Sequence, residues 1–292
     1  MKKTRRDILR LFSWIFALPV LSGLNTRGLA AAVNITRQEV AASVFFKTLG
    51  FHQLPAVDLI TDSEFNDGLR FDESLADAPT GKTFRIQNCG RIEDLAEKGT
   101  LGVLPYFHIF AVNIEKPAFR GELLTQIMSY LISQAKLDPG RLLLVSTNRF
   151  QPYLQQLQPF GINASQFIER DYAEAIAAGD GSGFFNPPGH PHVNGAHSVS
   201  IHYASDASTM GKPQQYPLPG FLELGEIVID AEPGEIIQSE SAGLGVERIL
   251  MAQGIAVDDF PTSQQKALAA IKSESELRGV PLPKAYQKIA DA

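Results

Sequence analysis

Ser239-Glu-Ser-Ala-Gly243-Leu-Gly245-Val-Glu-Arg248-Ile-Leu250 is the stretch on which the reading of the fold turns. Two glycines one residue apart remove side chains where a backbone must pass close to something flat or anionic, and Arg248 supplies a fixed charge three residues later. The pattern suits the wall of a nucleotide pocket. It suits equally well a plain strand-to-helix turn followed by a surface arginine, because Gly-x-Gly-x-x-Arg is short and common. The rest of the chain has to decide between the two.

The chain has 292 residues, 44% of them apolar and 9% aromatic, enough for one large domain or two small ones with a real core. Residues 1–32 read as an export signal. Lys2, Lys3, Arg5, Arg6 and Arg10 precede the apolar run Leu11 to Leu24, which is too short for the ~20 residues of a membrane-spanning helix, and Ala30-Ala31-Ala32 offers small residues for cleavage. Thr4-Arg5-Arg6-Asp7-Ile8-Leu9-Arg10 resembles the twin-arginine pattern, with Ile8 where phenylalanine is commoner. An uncleaved amphipathic anchor helix is the competing reading. A periplasmic protein without a membrane segment in its mature form is the expectation.

Removing that segment takes six basic residues and one acid from a chain of net charge −6, which leaves the mature part at −11. An acidic surface without a basic stripe argues against a tightly held nucleic acid, so tRNA is not expected as a partner. Cys89 is the only cysteine, which excludes an internal disulfide and reads as a small buried residue.

Along residues 33–292, Thr36-Arg-Gln-Glu39 forms a capping-box signature ahead of Val40, Ala41, Val44, Phe45 and Leu49, which predicts a helix ending at Gly50. Strands are predicted at Val57–Ile60, Lys82–Gln87, Val103–Val112, Arg141–Ser146, His197–Ala204 and Phe221–Asp230. A helical stripe runs from Leu123 to Ala135. The Gly179–Gly195 segment holds five glycines and three prolines and reads as a long functional loop, and two polar-surfaced helices follow from Pro261. The four histidines His190, His192, His197 and His202 invite a metal reading, but alternation puts His197 and His202 on opposite faces of one strand and no thiolate lies near. Ser182 and Ser198 lack a nucleophile-elbow frame.

The order of these pieces resembles the catalytic domain of alanyl-tRNA synthetase, a class II aminoacyl-tRNA synthetase. Gly-Phe-His-Gln-Leu-Pro, Gln87-Asn88-Cys89-Gly90-Arg91, Asp138-Pro-Gly140-Arg141-Leu and the closing Gly243-Leu-Gly245-Val-Glu-Arg248 occur in the family's order between Ile35 and Gly254. The resemblance implies an α+β fold, an antiparallel six-stranded sheet flanked by helices, with the C-terminal helices from about residue 255 appended and a homodimer as the assembly. It also implies a ligand site built from Arg248, Gly243, Gly245, Arg91, Ser241 and Glu226.

The departures bear on activity. Leu104-Pro105-Tyr106-Phe107-His108 stands where the family carries an arginine and two histidines, Ala111 replaces an acid, Ser241 replaces the aspartate that holds the substrate's ammonium group, and Gly225 and Glu226 replace a tryptophan and an asparagine. Activation of a carboxylate by ATP develops charge that needs a cation at the α-phosphate. The sequence therefore leads to an exported relative without tRNA aminoacylation that binds a small amino-acid, nucleotide or adenylate-like ligand. Two alternatives stay open: an ATP- and magnesium-dependent ligase acting before export, with Arg91 or Arg120 as the replacement cation, and a partner-binding protein with a dead cleft.

Overall fold

The computed structural model describes residues 26–60, 81–90, 95, 96, 98–186, 195–211, 215–230 and 239–292. Its chain begins with α1 (Thr26–Thr48), then β1 (His52–Gln53), β2 (Lys82–Cys89) and β3 (Phe107–Glu115). Next come α2 (Glu122–Ser129), β4 (Leu142–Thr147), α3 (Leu154–Leu157), β5 (Phe167–Arg170), α4 (Tyr172–Ala178) and β6 (Phe184–Phe185). The remainder is β7 (Ala196–Ala204), β8 (Phe221–Asp230), β9 (Ser239–Gly245), α5 (Val246–Ala252), α6 (Phe260–Arg278) and α7 (Lys284–Asp291).

The sheet runs β1-β2-β3-β9-β8-β7-β4-β5, with β6 paired to β7. From β2 to β4 every pairing is antiparallel, so six consecutive strands form the expected antiparallel sheet. Parallel pairings occur only at the two ends, β1 with β2 and β4 with β5. The α+β expectation holds, with a sheet wider than six strands.

One face of the sheet carries the main core. Phe84, Phe110, Val112, Ile114, Ala242, Leu244, Ile227, Ile229, Val199 and Ile201 point to it and pack on Ile35, Ala42 and Phe46 of α1, on Leu123, Leu124 and Ile127 of α2 and on Ile249 and Leu250 of α5. Glu240 is the exception among the inward-facing β9 residues. It is fully buried, and its carboxylate accepts the backbone N–H groups of Gly121 (2.6 Å) and Leu123 (2.7 Å), which caps the N-terminus of α2 from another element. Burial pushes its carboxyl up from the usual range, and the two backbone donors pull against that shift.

Several sequence expectations are corrected. The Thr36 box does not start a helix, because α1 begins at Thr26 and the Thr36 hydroxyl bonds back to the Ala32 carbonyl within it. Val57–Ile60 is not a strand, since the short parallel strand falls at His52–Gln53 and the N–H groups of Val57, Leu59 and Ile60 bond to the side chains of Gln87 and Glu274 instead of to a neighbouring strand. The third strand starts at Phe107 and not at Val103, because Pro105 has no N–H for a neighbouring strand and the Tyr106 N–H and carbonyl are both taken by Ser263 Oγ. The stripe of Leu123 to Ala135 is helical throughout, but α2 stops at Ser129 and the backbone widens into a π-helical stretch at Tyr130–Gln134.

Candidate functional site

Strand alternation decides what lies on the other face. Ser241, Gly243 and Gly245 alternate with the core-facing Glu240, Ala242 and Leu244, and their register partners Asn113, Ala111 and Ile109 face the same way on β3. On β8, Glu226 pairs with Gly243 and Val228 with Ser241. Between apolar clusters at either side, this face therefore has a middle that is polar and poor in side chains.

Each side of the middle is covered by a segment tied to the sheet by named polar contacts. Over β2 lies the 55–60 strap, where the Pro55 carbonyl accepts from Arg85 Nε (2.7 Å) and the Val57 N–H donates to Gln87 Oε1 (3.4 Å). The far end of the strap is held by α6, whose Glu274 carboxylate accepts the N–H groups of Leu59 (2.9 Å) and Ile60 (2.8 Å). Ala267 and Ile271 of α6 and Ala285 and Ile289 of α7 pack on Leu59 and Ile60. These C-terminal helices thus build one wall of the cleft.

The opposite wall is the 180–183 loop. Ser198 Oγ donates to the Gly181 carbonyl (2.7 Å), Ser182 Oγ and Ser200 Oγ are 2.9 Å apart, and Ser200 Oγ lies 2.9 Å from His202 Nε2. Arg170 pairs with Asp180 at 2.8 Å and stacks on Tyr216. Gly181 sits so close to the floor that a Cβ there would fall 1.6 Å from Glu226 Oε2, at a φ of 88° that favours glycine. Burial pushes the His202 imidazole down, which keeps it neutral beside the two serines.

The opening motif is resolved differently from a glycine turn. Gly243 is an interior strand residue, and Gly245 is the extended residue that precedes α5, with φ of −75°. A Cβ at Gly245 would meet the stem of Arg248 at 3.1 to 3.4 Å, so this glycine makes room for that side chain. Arg248 then folds across the end of the floor, donating Nε to the Gly102 carbonyl (3.1 Å) and Nη1 to Glu223 (3.1 Å). The guanidinium is already engaged by a carboxylate, so an anionic ligand would compete with Glu223 for it.

The structure brings Gly243, Gly245, Ser241, Glu226 and Arg248 together around one floor three strands wide, formed by β3, β9 and β8. Arg91 lies outside the described residues, as do His190, His192 and residues 1–25. Arg120 stands on the core side of the sheet, where its Nη1 reaches Tyr153 Oη (3.4 Å), which does not place it over the floor. Cys89 is buried. Among the described residues no group of three or more His, Cys, Asp or Glu is placed to hold a metal ion, and no helix is long and apolar enough to cross a membrane.

Sequence reading missed three contributors. Asn113 has its amide fixed between the Ser241 hydroxyl (2.9 Å) and Glu115 (2.8 Å), Glu223 neutralises Arg248, and Asp180 organises the second wall. Strand alternation from Ala111 could have found Asn113. Nothing local in the sequence marks the other two.

No protein-family model matches the chain, and no curated protein matches it. Solved structures similar to it include the apo histidyl-tRNA synthetase of S. aureus, at 10% identity and a TM-score of 0.42, covering 82% of this chain and 75% of that one. Others are pyrrolysyl-tRNA synthetase from Desulfitobacterium hafniense, at 13% identity and 0.38, covering 85% and 75%, and aspartyl-tRNA synthetase from Entamoeba histolytica, at 14% and 0.37, covering 86% and 64%.

Proposed function

We propose that this protein is an exported binding domain related to the alanyl-tRNA synthetase catalytic domain, which holds a small amino-acid, nucleotide or adenylate-like ligand and does not charge tRNA. The observation that carries the reading is the floor itself. In a sheet whose other face is an apolar core interrupted by Glu240, Ser241, Asn113 and Glu226 form a polar band around Gly243 between two anchored walls. Polar groups on a sheet centre are costly to shelter unless something pairs with them, and a concave site with few convergent polar groups is the usual form of a ligand pocket.

The absence of aminoacylation rests on the residues that replace the family's chemistry. Pro105 and Tyr106 occupy the loop entering β3, where the Tyr106 carbonyl accepts from Ser263 Oγ (2.7 Å) and its N–H donates to the same oxygen (3.0 Å), so that α6 clasps the position expected of a catalytic cation. Ser241 offers a hydroxyl where the family offers a carboxylate. Export through the twin-arginine pathway is part of the same proposal and rests on Arg5 and Arg6.

Two measurements test it. A thermal-shift screen of the full chain with amino acids, nucleotides and a non-hydrolysable aminoacyl adenylate should give a hit worth ~2.7 kcal/mol at a hundred times its dissociation constant. Silence across the panel would leave the cleft without a ligand. Pyrophosphate exchange assayed over all amino acids should be absent, and robust exchange lost in Arg248→Ala would establish the ligase instead.

A further inference from the structure

The second wall of the cleft carries a chain of hydrogen bonds that ends beside Arg248. His202 Nε2 lies 2.9 Å from Ser200 Oγ, and Ser200 Oγ lies 2.9 Å from Ser182 Oγ. Ser182 in turn shares a hydrogen bond with the Tyr216 hydroxyl, which lies 2.9 Å from Asp180 Oδ2. Ser200, Ser182 and His202 are buried, so the protein has to satisfy these groups from within. At the outer end Asp180 is paired with Arg170 at 2.8 Å.

The carboxylate fixes the direction of the whole chain. Held by a guanidinium, it only accepts, so the Tyr216 hydroxyl donates to it, and burial pushes the phenol up and keeps that proton in place. Each hydroxyl has one proton to give. Tyr216 therefore accepts from Ser182, Ser182 accepts from Ser200, and Ser200 accepts from His202 Nε2. A neutral imidazole carries a single N–H, which makes His202 the Nε2–H tautomer and leaves Nδ1 as the only place for a further proton. Asp180, Tyr216, Ser182 and Ser200 are thus positioning residues for that ring.

The charged neighbours of His202 are linked to one another. Glu223 of β8 is its partner across the strands, and directly opposed residues of an antiparallel pair have Cβ atoms roughly 4.5–5.5 Å apart. Glu223 also accepts from Arg248 Nη1 at 3.1 Å. Burial holds the imidazole neutral and the Arg248 charge reinforces it, while Glu223 and Asp180 pull the other way. An anion that draws Arg248 away removes the opposing charge and leaves Glu223 without its partner beside a ring with an open nitrogen. We infer that Arg248 and His202 exchange places as the counter-ion of Glu223: an anionic ligand at Arg248 breaks the Arg248–Glu223 ion pair, and His202 takes a proton from solvent at Nδ1 in its stead. Nδ1–H is the only covalent bond made, and none is broken in the protein or the ligand. The exchange rests on the proposed ligand site and adds a proton to its binding equilibrium.

Nitrogen NMR of the full chain with labelled histidine tests it, with His202→Gln identifying the signal among the six histidines. Expected are the Nε2–H tautomer in the wild type, a mixture of tautomers in Tyr216→Phe, and an upward shift of the His202 titration in Arg248→Ala that adding Glu223→Gln reverses. An Nδ1–H tautomer in the wild type, or a titration that Arg248→Ala leaves in place, would overturn the exchange. Calorimetry with AMP and with a non-hydrolysable aminoacyl adenylate, in two buffers of different ionisation enthalpy near the ordinary histidine value of about 6.5, should read uptake of up to ~1 proton per anion bound, lost in His202→Gln. Binding without uptake overturns it as well. Should neither compound bind, the ligand reading falls and the Arg248→Ala titration judges the exchange by itself. Should Arg248→Ala fail to fold, the wild-type tautomer and the proton uptake decide.

Discussion

Replacing Glu240 with alanine should destabilise the protein by about 3 kcal/mol, and the figure follows from what the carboxylate does. It accepts two buried backbone N–H groups, those of Gly121 and Leu123, at 2.6 and 2.7 Å. Each orphaned donor costs ~1–3 kcal/mol when buried without a partner, which brackets the loss between about 2 and 6 kcal/mol. An offset comes from the charge, because burial already pushes the Glu240 carboxyl up and truncation removes that cost. Glu240→Gln keeps one acceptor oxygen but turns an amide N–H toward a backbone donor, so about half the loss is expected. Urea unfolding followed by far-ultraviolet circular dichroism gives both values, with unchanged m-values expected. A loss below about 1 kcal/mol in the alanine variant would refute the capping role, since one unsatisfied buried donor alone costs that much.

Four further outcomes are expected. Gly225→Ala should cost about 3 kcal/mol or more, because its Cβ would lie 1.9 Å from the Gly243 carbonyl oxygen at a φ of 154°, and thermal unfolding reads the change. Gly181→Ala should displace Glu226 and weaken ligand binding by calorimetry more than it lowers the melting temperature, as the added carbon meets a carboxylate oxygen at 1.6 Å. Glu274→Ala should speed hydrogen exchange at the Leu59 and Ile60 amides while leaving the β9 amides protected, since those two bonds hold the strap. The fourth is a pH dependence. Burial opposes charging of His108, but its hydrogen bond to Glu247 (2.7 Å) and the charges of Glu247 and Glu39 outweigh burial and Lys266, and its pKa rises above the ordinary 6.5. The stabilisation is then fully present below 6.5 and is lost as pH rises above it through the folded value, and Glu247→Gln should flatten that fall in urea titrations carried upward from 6.5.

How much of this was legible beforehand varied with the range of the interaction. The strands Leu142–Thr147 and Phe221–Asp230 were readable because apolar runs bounded by turn residues are local signals, and the cleft parity of Ser241 and Glu240 followed from a two-residue repeat. The reach of α1 was not, because Thr36 looks like a cap from its neighbours alone and only the burial of Ala31 and Ile35 shows the helix continuing past it. Nor was the fate of Arg248 visible: Glu223 is twenty-five residues away, and a guanidinium's partner depends on the sheet register that brings β8 alongside β9. The strap over β2 was misread as a strand because Val57-Asp-Leu-Ile60 is apolar enough for one, while the contacts that lift it away belong to Glu274, more than two hundred residues later.

The alternation along Ser239–Gly245 has an evolutionary consequence. Odd-numbered residues meet the cleft and even-numbered ones meet the helices, so a mutation at either set is screened by the backbone from the other. Glu240, Ala242 and Leu244 answer to the packing of the helices, whereas Ser241 and Gly243 answer to the cleft and to their neighbours on β3 and β8. A lineage could therefore exchange one chemistry for another, or abandon catalysis altogether, through a handful of substitutions on one side of a single strand and its neighbours, without ever passing through an unfolded ancestor.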